Sequence, residues 1–125
     1  MSRAIALAVL TGLLAACTPG APQTRGPSSP AERSLDPHER NRLASAVTRA
    51  FSGPEGVAAA YTIEPLDIEA EPTVVSARPV GPATDRADGG SCRPLEIMII
   101  KDGRRSSATV SYCRAAGSKT VEPAT

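Results

Sequence analysis

The stretch from Cys92 to Cys113 constrains this chain more than any other, because a turn at its centre decides where both cysteines must lie. Asp102-Gly103 separates two runs in which apolar and polar residues alternate, the strongest short-range signal for a two-residue hairpin. With those two residues as the loop, Lys101 opposes Arg104, and counting outward one residue per step brings Cys92 opposite Cys113. Antiparallel pairs alternate in type, so a hydrogen-bonded Lys101–Arg104 pair makes the cysteine pair non-hydrogen-bonded. Such pairs hold their Cα atoms about 4.5 Å apart, within disulfide range. The register predicts a Cys92–Cys113 disulfide. Two separate buried thiols would leave the register and the face sorting as coincidence.

The same register sorts the faces. Leu95, Ile97 and Ile99 share a side with Ala108, Val110 and Tyr112, while Glu96, Met98, Arg105, Ser107 and Thr109 lie on the other with the cystine. One apolar and one polar face is the pattern of an antiparallel sheet covered on one side. The cover is legible upstream. Asp36-Pro37-His38-Glu39 supplies an N-cap, a proline suited to the first helical position and the glutamate of a capping box. Leu43, Ala46, Val47, Ala50 and Phe51 then recur at helical spacing, and Ser52-Gly53-Pro54 ends the run. Arg40, Arg42, Ser45, Thr48 and Arg49 occupy the opposite side. The expected fold is α+β: one amphipathic helix on a small antiparallel sheet of about 3–4 strands, with a disulfide-linked C-terminal hairpin.

Residues 58–63 and 73–78 read as short strands bounded by Pro65, Pro72 and Pro79, near a sheet edge. Residues 82–91 read as a loop, and Glu64, Asp67, Glu69 and Glu71 as a solvated acidic edge that discourages strand addition. The domain is expected over 35–117, with 118–125 as a flexible tail.

The N-terminus has a different character. Arg3 precedes an apolar run from Ala4 to Ala16, which at roughly 13 residues is too short for a membrane-spanning helix of about 20. A basic start, a short apolar stretch and small residues at its end mark a secretory signal over 1–16. Leu14-Ala15-Ala16-Cys17 resembles the lipobox of bacterial lipoproteins, which implies recognition of Leu14, Ala15 and Ala16 by the signal peptidase, cleavage before Cys17, and acylation of Cys17. A plain signal peptide would leave Cys17 a free thiol and the cysteine count odd, whereas lipidation leaves an even pair. By the same resemblance, Thr18 in place of Asp favours the outer membrane. Residues 17–34 hold Pro19, Pro22, Pro27 and Pro30 among Gly, Ser and Thr, too little apolar surface to offset ordering. They read as a disordered tether averaging roughly 20–25 Å end to end.

Composition narrows the function. Without Arg3 the chain carries 13 basic and 13 acidic residues, so no basic field steers nucleic acid, and one Phe, two Tyr and no Trp make no stacking platform. His38 is the only histidine and has no zinc-ligand partner at suitable spacing. Neither a Gly-x-Ser-x-Gly turn nor a phosphate-binding glycine loop occurs. No catalytic, cofactor-binding or metal-binding residue is expected, and no small-molecule substrate.

These features resemble the bacterial surface antigen lipoproteins of the seventeen-kilodalton type. Their terminal domain opens with a helix bearing an Asp and arginines, here Asp36, Arg40 and Arg42. A hairpin follows that begins Cys-Arg, turns at Gly plus a basic residue and closes on Cys-Arg: Cys92-Arg93, Gly103-Arg104 and Cys113-Arg114, with Gly117 after it. The family's Trp after that glycine is missing, its Trp-Asn segment is replaced by Tyr61-Thr62-Ile63-Glu64, and its Gly-rich membrane segment is absent. The resemblance implies a divergent, non-catalytic outer-membrane lipoprotein, held to the membrane by its lipid and acting through structural or protein contacts with an envelope partner. An inhibitor or chaperone-like binder of an envelope or host enzyme is the alternative, with Asp85–Gly90 as its only distinctive loop.

Overall fold

A computed structural model describes residues 29–124, so Leu14, Ala15, Ala16, Cys17 and most of the expected tether lie outside the described residues. The capping box forms as its sequence predicts. Asp36 Oδ1 accepts from the Glu39 amide at 2.8 Å, and Glu39 Oε1 accepts from the Asp36 amide at 2.9 Å. Helix α2 (Pro37–Phe51) starts there and buries Leu43, Ala46, Val47, Ala50 and Phe51, the face set by its spacing.

Six strands follow: β1 (Ala59–Ile63), β2 (Thr73–Pro79), β3 (Thr84–Asp85), β4 (Ser91–Lys101), β5 (Arg104–Arg114) and β6 (Val121–Pro123). They form one antiparallel sheet in the order β1-β2-β4-β5-β6, with the two-residue β3 also on β4. The β4–β5 register runs from Lys101↔Arg104 through Ile97↔Ala108 to Cys92↔Cys113, as counting from the turn predicts. Asp102 and Gly103 adopt φ of 53° and 74°, the positive pair that a tight hairpin with the sheet's twist requires. Pro94 is tolerated inside β4 because the partner on that side changes there, from β3 at Cys92 to β2 at Leu95, so no ladder bond needs its missing amide.

Helix α2 covers one face of the sheet. Val75, Ala77, Leu95, Ile97, Ile99 and Tyr112 meet it in a single core. The other face is open, with Val74, Met98 and Ile100 half-buried beside a cross-strand Arg78–Glu96 ion pair at 2.6 Å.

Three expectations are corrected. The sheet exceeds 3–4 strands, because residues 84–85 and 121–123 join it. Both are too short to show an alternating pattern, and their pairing is set by neighbours already in place. Residues 118–125 are therefore more than a flexible tail: Val121 packs on the core and β6 pairs with Tyr112, Cys113 and Arg114. Part of the expected tether is ordered too. Ser29 caps a four-residue helix α1 (Pro30–Arg33), and Ala31 and Leu35 pack inward.

The molecule has two chemically different ends. The α2 N-terminus, the β1–β2 loop, the hairpin turn and α1 gather at one, here the tip end. The α2 C-terminus, the cystine and β6 gather at the other.

Candidate functional site

At the tip end a glutamate ties three elements together. Glu39 Oε1 accepts from Lys101 Nζ at 2.7 Å, and Oε2 accepts from Thr73 Oγ1 at 2.7 Å, in addition to the capping bond from Asp36. Lys101 Nζ also donates to the Ser34 carbonyl at 2.7 Å. Helix, sheet and the α1 segment thus share one satisfied carboxylate. Burial by itself raises the Glu39 pKa, but the hydrogen bonds from Lys101, Asp36 and Thr73, with the Lys101 charge, outweigh it and hold the carboxyl below its usual 4.5. Because the folded pKa is the lower one, the stabilisation is complete above pH 4.5 and is lost as pH falls through the depressed value. Glu39→Gln is expected to cost roughly 1–3 kcal/mol at pH 7, leaving Lys101 without its counter-charge. The gap to wild type should narrow below pH 4.5 in urea titrations, and a constant gap down to acid pH would refute the role of the charge.

The cystine end has its own clamp. Arg93 is 8 % exposed, and its guanidinium donates to the carbonyls of Gly81 at 2.8 Å, Phe51 at 2.9 Å and Gly53 at 2.7 Å. Phe51 and Gly53 stand at the C-terminus of α2, where carbonyls lack helical partners and the helix dipole favours a cation. Arg114 lies over the Phe51 ring at 5.0 Å. The arginines of both Cys-Arg pairs therefore converge on one helix end. The Cys92–Cys113 bond fixes the strands that carry them, with Cα atoms 4.0 Å apart. Nearby, burial first and the Glu32 charge second push the Tyr112 hydroxyl up to about 12.

Farther along β1, Arg49 donates to the Tyr61 hydroxyl at 3.2 Å and Arg42 lies 5.5 Å from its ring centre, so two arginines of the helix flank are used for packing. His38 is exposed. The Asp85–Gly90 loop is a folded turn, in which Arg86 donates its amide to Gly90 at 2.8 Å and a Cβ on Gly90 would stand 2.6 Å from the Arg114 carbonyl. Among the described residues no group of three or more His, Cys, Asp or Glu is placed to hold a metal ion.

A groove of about 570 Å³ lies at the tip end, between α1 and the outer half of the hairpin. Ile97 and Ile99 form its floor, Pro30 and Ala31 one wall, Ser106 and Ala108 the other, and Lys101 and Arg104 its rim. It exists because α2 reaches β1, β2 and β4 but leaves the outer half of β5 bare, where Ser106 and Ala108 are exposed on the core-facing side. Strand β6 stops short as well, so from Arg104 to Val110 the outer edge of β5 pairs with no strand among the described residues. Among the described residues no side-chain hydrogen bond or ion pair engages Arg104 or Arg105.

Comparison with family models, curated proteins and solved structures found no match. The groove therefore stands on its own geometry. Of the residues singled out from sequence, the cystine lies at the opposite end from it, and the lipobox residues are outside the described part. Sequence reasoning missed Arg93, Lys101 and the groove. A signal for Arg93 was present: alternation puts it on the face of Leu95, Ile97 and Ile99, where a charge needs a buried task.

Proposed function

We propose that this chain is a non-catalytic lipoprotein of the bacterial envelope, a divergent relative of the surface antigen lipoproteins, that acts through protein contact at its tip end. The observation that carries the contact role is the groove: an apolar floor, a free strand edge and two unengaged arginines on a small rigid domain. An apolar cavity with a few polar groups at its rim is the usual form of a recognition site. The buried Glu39 and Arg93 are occupied in holding the fold, which supports a non-catalytic reading. The Leu14-Ala15-Ala16-Cys17 quartet supports attachment to the outer membrane by lipid on Cys17, with no second partner needed for anchoring. Ser29, the first of the described residues, lines the groove, so a chain held by lipid on Cys17 would present this end close to its attachment.

The anchor is tested by palmitate labelling and detergent partition. Wild type is expected in the detergent phase with label, and Cys17→Ser in the aqueous phase or unprocessed. An unlabelled wild type in the aqueous phase ends the lipoprotein reading. Alkylating an Ala108→Cys variant in intact envelopes tests the contact role, which predicts protection there that is lost on purification.

A further inference from the structure

The two sulfurs of the cystine have different charged neighbours. On β4, Cys92 pairs with Thr84 of β3, and Arg86, just beyond β3, brings its Nη1 to 4.0 Å from the Cys92 sulfur. The folded turn after it holds the arginine in place. Its amide donates to the Gly90 carbonyl at 2.8 Å, the Gly90 amide donates to Asp88 Oδ1 at 3.0 Å, and Asp88 Oδ2 stands 3.6 Å from Arg86 Nη2. On β5, Cys113 pairs with Glu122 of β6, which puts a carboxylate on the side of that sulfur. Both cysteines are half-buried, yet one has a cation beside it and the other an acidic partner.

Access to the two sulfurs differs as well. A cleft of about 240 Å³ opens at the cystine end, lined by Arg86, Cys113, Ala115, Ser118, Thr120 and Glu122. Cys113 lines it and Cys92 does not. An attacking sulfur enters opposite the sulfur it displaces. For Cys113 the side away from Cys92 is the β6 side, where the cleft lies. A bond that served only to staple two strands would need neither an opening onto one sulfur nor a guanidinium beside the other.

We propose that the cystine is a thiol-exchange site with a fixed polarity: a small external thiol opens it at Cys113, from the cleft, and Cys92 is the sulfur released. The incoming thiolate bonds to Cys113 Sγ as the Cys92–Cys113 bond breaks, and the electron pair of that bond departs on Cys92 as a thiolate beside Arg86. One thiolate is consumed and one is formed, so the step needs no other oxidant or reductant. Negative charge builds on the departing sulfur, and the sulfur whose thiolate is better stabilised leaves faster. Arg86 supplies that stabilisation to Cys92. Attack at Cys92 would instead expel a thiolate beside Glu122, which disfavours it. The product carries the thiol's substituent on Cys113, seated in the cleft.

The test treats the oxidised full-length chain with 2-mercaptoethanol and quenches at intervals with excess N-ethylmaleimide. Trypsin places Cys17, Cys92 and Cys113 on separate peptides, so the adduct on each is read by mass. The expected species carries mercaptoethanol on Cys113 and maleimide on Cys92, in at least fivefold excess over the reverse arrangement. Arg86→Gln should slow opening at least threefold and narrow that excess, whereas Arg86→Lys should keep both. Thr120→Trp, which fills the cleft, should also slow opening at least threefold. Loss of folding would expose the bond and speed its opening, so a slowed variant is not a misfolded one. Adducts divided evenly between the two cysteines, or in excess on Cys92, overturn the proposal. A rate that either Arg86→Gln or Thr120→Trp leaves unchanged or raises overturns it as well.

Discussion

Replacing Arg93 by Met is expected to remove about 3–5 kcal/mol of stability, because three buried or half-buried carbonyls lose their donor together. The partners are Gly81, Phe51 and Gly53, the last two at the end of α2. Met keeps the length of the side chain and most of its packing, so the loss isolates the hydrogen bonds. For a domain of this size the melting temperature should fall by at least about 12 °C. Arg93→Lys should recover only part of the loss, since one ammonium cannot span the carbonyls that the planar guanidinium forks between. Arg114→Ala, which removes a half-buried ring contact, should cost under about 1 kcal/mol. A thermal melt of Arg93→Met within 1–2 °C of wild type would show that water replaces the guanidinium and would reject the clamp.

The second large effect is expected from Cys92→Ser with Cys113→Ser. Opening the cross-link across a sequence separation of 21 residues frees the unfolded chain and should lower stability by roughly 2–4 kcal/mol. A register test accompanies it. Inserting one residue between Asp102 and Gly103 moves every opposing pair by one, so either the cystine is displaced or Leu95, Ile97 and Ile99 lose their partners on β5. That insertion should cost more than one in the Asp85–Gly90 turn. Peptide mapping of oxidised protein should find Cys92 joined to Cys113, and two thiols alkylated without reductant would reject the bond.

Local signals made the hairpin and the helix legible. Asp102-Gly103 forces positive φ at two adjacent positions, and from that single constraint every β4–β5 pair follows. Asp36, Pro37 and Glu39 declare a helix start through bonds made within four residues. What the sequence hid was non-local. Val121–Pro123 is a strand because β5 offers an edge beside the cystine, and nothing in three residues announces it. Residues 30–33 are helical because Ala31 and Leu35 find the core and Lys101 holds the Ser34 carbonyl, although their composition reads as tether. The groove was equally hidden, since it arises from how far α2 and β6 fail to extend. Cys92 and Cys113 could be placed by counting, whereas Leu14 to Cys17 rest on a motif alone.

The order of the strands bears on how this chain reaches its fold. With only the small β3 as a detour, each strand of the main sheet pairs with its neighbours along the chain, β1 with β2, β2 with β4, β4 with β5 and β5 with β6. A meander of this kind is assembled by closing short loops, the regime in which folding is quick and few long-range searches are needed. The β4–β5 ribbon can zip from Asp102-Gly103 on a microsecond scale before any helix docks. Oxidation is far slower than that, so the thiols meet an already aligned ribbon, and the correct bond forms without rearrangement. The cross-link thereby needs only the β4–β5 ribbon, whatever the order in which the helix and the other strands dock on it.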